Sequence, residues 1–141
     1  MAEYIANALQ TVAMNQDVLF TDTAICSKNN SIVHRKGSGL VTLRSVPGRC
    51  STRFEVLFGA NIAIPEGGSV TPISLAIAID GEPINSTNMI VTPAAAEQFF
   101  NIFRGVYVDI PCGCCSQISI KNTAEGSVDV QNANLIIKRV P

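Results

Sequence analysis

Tryptophan is absent, histidine occurs once, and charged residues make up only 15% of the chain. Each shortage excludes something. With one imidazole, His34, a histidine-rich metal site is not available, and no serine elbow or paired carboxylate accompanies it, so the sequence predicts a non-enzyme. Ten Lys and Arg residues are spread along the chain in no run longer than two, and the net charge is −1. The electrostatic footprint of a nucleic-acid binder is therefore missing. No run reaches the ~18 uninterrupted apolar residues that a membrane helix needs. No basic segment followed by an apolar one opens the chain, so no secretory signal peptide is seen, and synthesis in the cytoplasm is expected. Neither a nucleic acid nor a membrane is expected as partner.

What is present is apolar: 47% of the residues, against a charged fraction well below the roughly 25% of ordinary soluble domains. A chain of 141 residues is one domain by length and hides roughly two-thirds of its unfolded surface. The surplus apolar surface then needs either an unusually large core or contacts between subunits. Interfaces are favoured, because a small domain has limited interior.

Glycine, proline and asparagine punctuate the chain at short intervals, the mark of many short strands joined by turns. Asp17 to Cys26 reads as a strand with Val18, Phe20, Ala24 and Cys26 on one face. Phe54, Val56, Phe58, Ala60, Ile62 and Ile64 alternate strictly. Between Ser69 and Asp80, Ile73, Leu75, Ile77 and Ile79 alternate with Ser74, Ala76 and Ala78, pairing a core face with a back face small enough for another sheet or subunit to approach. Asp80-Gly81 predicts a tight hairpin turn. The phrase Thr92 to Glu97 is the one locally helical stretch, about a turn long. In the last strand, Val128 to Val140, the apolar phase moves from even to odd positions, which predicts a bulge near Gln131 or Asn132. The first fifteen residues are ambiguous between helix and strand and are assigned as an N-terminal arm, with residues 16–141 as the domain. Within the arm, Tyr4, Ile5 and Leu9 are the candidate contacts to a larger particle or a neighbouring subunit. The count of about eight to ten strands, with no crossover helix, predicts an all-β sandwich of antiparallel strands, jelly rolls included.

Two segments carry functional weight. From Phe99 to Ile110, Phe99, Phe103 and Tyr107 share one face while Ile102, Val106, Val108 and Ile110 share the other. A strand apolar on both faces is buried on both, so one face predicts the core and the other a subunit interface, where aromatics are favoured. The five cysteines, Cys26, Cys50, Cys112, Cys114 and Cys115, are odd in number, so at least one is unpaired within a monomer. A bridge between Cys26 and Cys50, a bridge from the Cys112-Gly113-Cys114-Cys115 turn to either, or free thiols all fit. Structural zinc does not, since it takes four ligands from two ligand pairs. No metal or cofactor is expected.

The opening phrase Val18-Leu19-Phe20-Thr21-Asp22, the aromatic strand feeding a turn, and the closing Ala133-Asn134-Leu135-Ile136-Ile137-Lys138-Arg139-Val140 resemble compact jelly-roll domains of the tumour necrosis factor and complement globular-head superfamily. Ile32 to Arg44 and Asn88 to Ala95 resemble small proteins from phages and prophages of gut bacteria. The resemblance implies a jelly-roll sandwich assembling as a homotrimer with aromatic side chains on the axis, which by carry-over would be Phe99, Phe103 and Tyr107. It implies a virion location and a phage role in capsid decoration or as a head fibre, with the major capsid protein as partner. The alternative is a receptor- or carbohydrate-binding head of a fibre or bacterial surface protein. The cysteine-rich turn departs from the superfamily pattern.

Overall fold

The computed structural model describes residues 1–141. Twelve strands run in order β1 (Ala2–Ala6), β2 (Gln10–Val12), β3 (Asp22–Ile25), β4 (Ile32–His34), β5 (Val41–Arg44), β6 (Ser51–Ala63), β7 (Ile73–Ile79), β8 (Glu82–Pro83), β9 (Met89–Val91), β10 (Phe100–Pro111), β11 (Cys115–Asn122) and β12 (Val128–Val140), with a single 3-10 turn at Asn85–Thr87. They form two six-stranded antiparallel sheets. The first has the order β10-β6-β12-β1-β3, with β2 also pairing β12; the second has the order β4-β5-β11-β7-β8, with β9 also pairing β7. The protein is an all-β sandwich. Its pairings are nested: β1 lies beside β12, β5 beside β11, β6 beside β10 and β7 beside β9. No helix of the structure is long and apolar enough to cross a membrane.

Alternation explains the core. Val56, Phe58, Leu135, Ile137 and Val108 face inward from the first sheet, and Leu43, Leu75, Ile77, Ile118 and Ile120 from the second, all nearly or fully buried. Successive side chains of a strand point to opposite faces, so each strand donates every second residue to one continuous core. Phe20 closes the side of the sandwich, edge-on to Phe58 with ring centroids 6.4 Å apart. The predicted bulge is present: the β12–β6 register slips between Gln131 and Asn134, and Asn132 adopts φ 55°. Asp80 (φ 50°) and Gly81 (φ 87°) form the predicted hairpin turn, both residues in the left-handed region that such turns require.

Three expectations need correction. Residues 1–15 are not an arm: β1 is an interior strand of the first sheet, held between β12 and β3, and β2 pairs with β12. Ala2, Tyr4 and Ala6 are core residues, because the period-two placement of these three inward positions wins over the helical spacing of Ile5, Leu9 and Val12. The strand expected from Asp17 is shortened to Asp22–Ile25. Before it, Asn15 to Val18 crosses to the second sheet, where Val18 N–H donates to the Ile120 carbonyl at 2.8 Å and Asp17 bridges Lys121. Thr92 to Glu97 forms bends and a turn ending with Glu97 at φ 61°, with no helical turn.

The strand β7 is buried on both faces within one chain. Ala76 and Ala78 have no exposed surface. Lys121 sits beside Ala76 and sends its ammonium to the Gly81 carbonyl at 2.8 Å, so its methylene stem runs across the small face. On the flank of β7, Thr87 Oγ1 accepts from Ile77 N–H at 2.9 Å and donates to the Ile84 carbonyl at 2.6 Å. A side-chain hydroxyl thereby replaces the ladder partner lost where the chain leaves β8 for the 3-10 turn. The neighbouring cover anticipated for Ser74, Ala76 and Ala78 is supplied by the chain itself.

Candidate functional site

The outer face of the first sheet is where the apolar surplus emerges. Cross-strand registers define its rows. Phe103, Gly59, Asn134 and Ile5 form one; Gly105, Leu57, Ile136 and Glu3 the next; Tyr107, Glu55 and Lys138 a third; Asp109, Arg53 and Val140 the fourth. Phe103 and Tyr107 are each 63% exposed, and Phe99, just ahead of β10, is 42% exposed. The aliphatic residues Ile102, Val108 and Ile110 of the same strand face the core. The core therefore lies on the aliphatic side of the strand, and the aromatic face is left facing solvent in the single chain.

Two glycines make this face flat. A Cβ on Gly59 would meet the Phe103 ring at 3.4 Å, so the ring lies across the neighbouring strand where a side chain is missing. A Cβ on Gly105 would fall 2.6 Å from Leu57 Cδ2, so Leu57 leans over β10 in the same way. A shallow hollow of about 190 Å³ lies beside them, lined by Glu55, Leu57, Gly105, Val106 and Tyr107. Charges of both signs rim the patch. Arg53 Nε and Nη2 donate to the two oxygens of Asp109 at 2.7 and 2.9 Å, a bidentate pair in solvent. That pair, chiefly through its hydrogen bonds, holds the Asp109 carboxyl below the usual carboxylate range.

β10 is also an open edge of the sheet, twelve residues long. Long apolar edges invite pairing with another chain, and charged side chains at core-phase positions blunt them. Arg104 does this here. It lies between Ile102 and Val106 in core phase yet remains exposed.

The structure redistributes the other candidates. Tyr4 is 3% exposed and belongs to the core, its ring 4.5 Å from that of His34. Burial, with Cys26 adding to it, raises its phenol above the ordinary value. Tyr4 is therefore not available as a contact to another molecule. Leu9 is exposed in the loop between β1 and β2. Ile5 is half-buried and stands in the same row as Phe103, so one arm candidate joins the aromatic face. Leu57 and Ile136 belong to this face and were not singled out. Their signal in the sequence is an apolar residue at a polar phase of its strand.

All five cysteines are free and exposed. Cys26 follows β3, and Cys50, Cys112, Cys114 and Cys115 cluster around the turn after β10. Cys112 N–H donates to the Cys50 carbonyl at 3.0 Å, extending the β6–β10 ladder by one pair, so the nearest partner of the thiol-rich turn is Cys50. No group of three His, Cys, Asp or Glu side chains converges to hold a metal ion. His34 Nε2 is 2.8 Å from the Ser38 carbonyl, which fixes the proton on that nitrogen. Its Nδ1 is buried without a partner.

No family model matches this sequence, and no curated protein matches it. Among solved structures the chain is similar to an isomalto-dextranase of Arthrobacter globiformis T6, solved in complex with panose, at 14% identity and a TM-score of 0.37. The match covers 94% of this chain, which spans only 22% of that enzyme's chain. A likeness this distant carries no argument about activity.

Proposed function

We propose that this chain is a non-enzymatic structural protein that assembles as a homotrimer through the outer face of its first sheet, and that it serves as a virion decoration or head-fibre protein on a phage capsid. The observation that supports assembly is the aromatic face of β10: Phe103 and Tyr107 are each 63% exposed, with Phe103 lying over Gly59 and with Leu57 and Ile136 in the row between them. Covering a Phe side chain is worth about 1.5–3 kcal/mol, repeated in every subunit of a symmetric oligomer. The occupant is further copies of the same chain, since the rim carries both signs of charge in Arg53, Lys138, Asp109 and Glu55 and so complements itself.

The nested pairing of β1 with β12, β5 with β11, β6 with β10 and β7 with β9 supports reading the sandwich as a jelly roll, in which one long hairpin is rolled into two sheets. It supports the resemblance to the tumour necrosis factor superfamily, from which the threefold symmetry is taken. Binding the major capsid protein through several copies at once multiplies a weak contact into a stable one. The second reading, a receptor- or carbohydrate-binding head, draws on the clefts at the cysteine-bearing loop end.

Mass photometry and sedimentation at micromolar concentration test the assembly: a species three times the 15.0 kDa chain is expected, and a clean monomer removes the interface. Cosedimentation with capsids stripped of decoration tests the virion role. Failure to bind them, together with signal on a glycan array, favours the second reading.

A further inference from the structure

At the loop end of the sandwich a cleft of about 280 Å³ lies between the Asn29–Ser31 turn, the Ser45–Pro47 loop and the end of β12. Two arginines, the exposed Arg44 from β5 and the half-buried Arg139 from β12, line it, and no acidic residue does. The one ion pair in the structure joins Arg53 to Asp109, so neither arginine has a carboxylate partner. Arg139 continues the core phase of Ala133, Leu135 and Ile137, which puts a half-buried cation at the mouth between the two sheets. An unpaired, half-buried cation such as Arg139 is costly, and an oxyanion bound beside it relieves the cost through charge-assisted hydrogen bonds.

The remaining polar groups point the same way. The Asn29 side-chain oxygen accepts from the Ser31 backbone N–H at 3.0 Å and from the Ser31 hydroxyl, so its amide nitrogen is the end left free to donate. The walls are held by hydrogen bonds from backbone N–H groups. Arg44 N–H donates to the Ser31 carbonyl at 2.8 Å, Val46 N–H to Thr52 Oγ1 at 2.7 Å, and Gly113 N–H to Ser45 Oγ at 2.9 Å. These bonds fix the backbone that carries the cleft walls before a ligand arrives.

The geometry points to this cleft as a binding site for a small organic oxyanion, a carboxylate or phosphate group carried on a molecule of about monosaccharide size. Guanidinium forks match both anions bidentately. The volume sits at the lower limit of the roughly 300–1,000 Å³ typical of ligand pockets. This assignment does not rest on the assembly or the virion role proposed above.

Calorimetric titration of the native protein with inorganic phosphate, glucose 6-phosphate, glucuronate and neutral glucose tests it. At least one of the three anions is expected to bind while glucose does not, with affinity falling as salt is raised. Preference for glucuronate assigns a carboxylate ligand, and preference for the two phosphates a tetrahedral one. Arg139→Gln is expected to weaken binding tenfold or more, and Arg44→Gln with Arg139→Gln to abolish it. Arg44→Lys, which keeps the charge and loses the fork, should fall between. Circular dichroism confirms that each variant remains folded. No anion binding better than glucose, or a double variant that binds like the wild type, overturns the assignment.

Discussion

The two outer faces of this sandwich begin from similar material and end differently. Each belongs to a six-stranded antiparallel sheet, and each carries more apolar surface than a solvated face needs. On the second sheet the chain covers that surface itself: Lys121 arches across Ala76 and Ala78, Thr87 fills the flank of β7, and the Asn15–Val18 segment lies alongside β11. On the first sheet nothing of the chain crosses Phe103, Leu57 or Tyr107. Small residues let the molecule's own loops come close enough to close a face. Large aromatics beside glycines make a surface that only a broad, flat partner covers.

A carboxylate on each face reports the same contrast. Asp109, in solvent, is pulled below its ordinary range by the Arg53 hydrogen bonds. Asp17, half-buried over the second sheet, is raised by burial, although Lys121 and a Ser119 hydrogen bond pull it back in part.

The sharpest way to break this comparison is Phe103→Asp or Tyr107→Asp. Either is expected to convert the proposed trimer to a folded monomer in sedimentation, because each side chain is exposed in the single chain and its loss leaves the core untouched. A trimer that survives both places the interface elsewhere.

Next comes Ala78→Leu, which should cost about 1–3 kcal/mol of stability by overpacking a face that is already closed. Phe103→Ala, measured in the Tyr107→Asp monomer, should stay within roughly 0.5 kcal/mol, as surface changes do. Equal effects in denaturant titrations would mean that the two faces do not differ.

Smaller and pH-dependent is Asp17→Asn. The folded state binds the Asp17 proton more tightly than the unfolded state does. The stability contributed by this group is therefore fully present below the ordinary carboxylate value and is lost as pH rises through the raised one. The asparagine variant should gain melting temperature relative to wild type as pH climbs through that window, and a gap that shrinks instead speaks against burial as the dominant cause.

The smallest effect belongs to Asp109→Asn. Here the folded value is lowered, so its contribution is present above the ordinary carboxylate value and disappears as pH falls through the lowered one. The pair is solvent-exposed, and high salt should erase most of the difference between variant and wild type.

Local signals carried much of the fold. Strict alternation in β6 and β7, the Asp80-Gly81 turn and the phase change in β12 were legible because each is written within a dozen residues. The first fifteen residues were not. Ile5, Leu9 and Val12 satisfy a helical spacing as well as the actual strands do, and only pairing with β12, more than a hundred residues away, selects the strand. The aromatic face of β10 was visible as a pattern, whereas its companions Leu57, Ile136 and Ile5 lie on three other strands and needed the registers. The cleft at Arg44 and Arg139 was invisible for the same reason.

By itself, then, the sequence determined an all-β chain with an excess of apolar surface and an aromatic strand, since side-chain period and turn chemistry are local properties. Which of the two surplus faces is closed from within and which is left open was decided only in three dimensions. Covering a face depends on where Lys121, Thr87 and Asn15–Val18 arrive after long-range strand pairing, and no local pattern encodes that arrival.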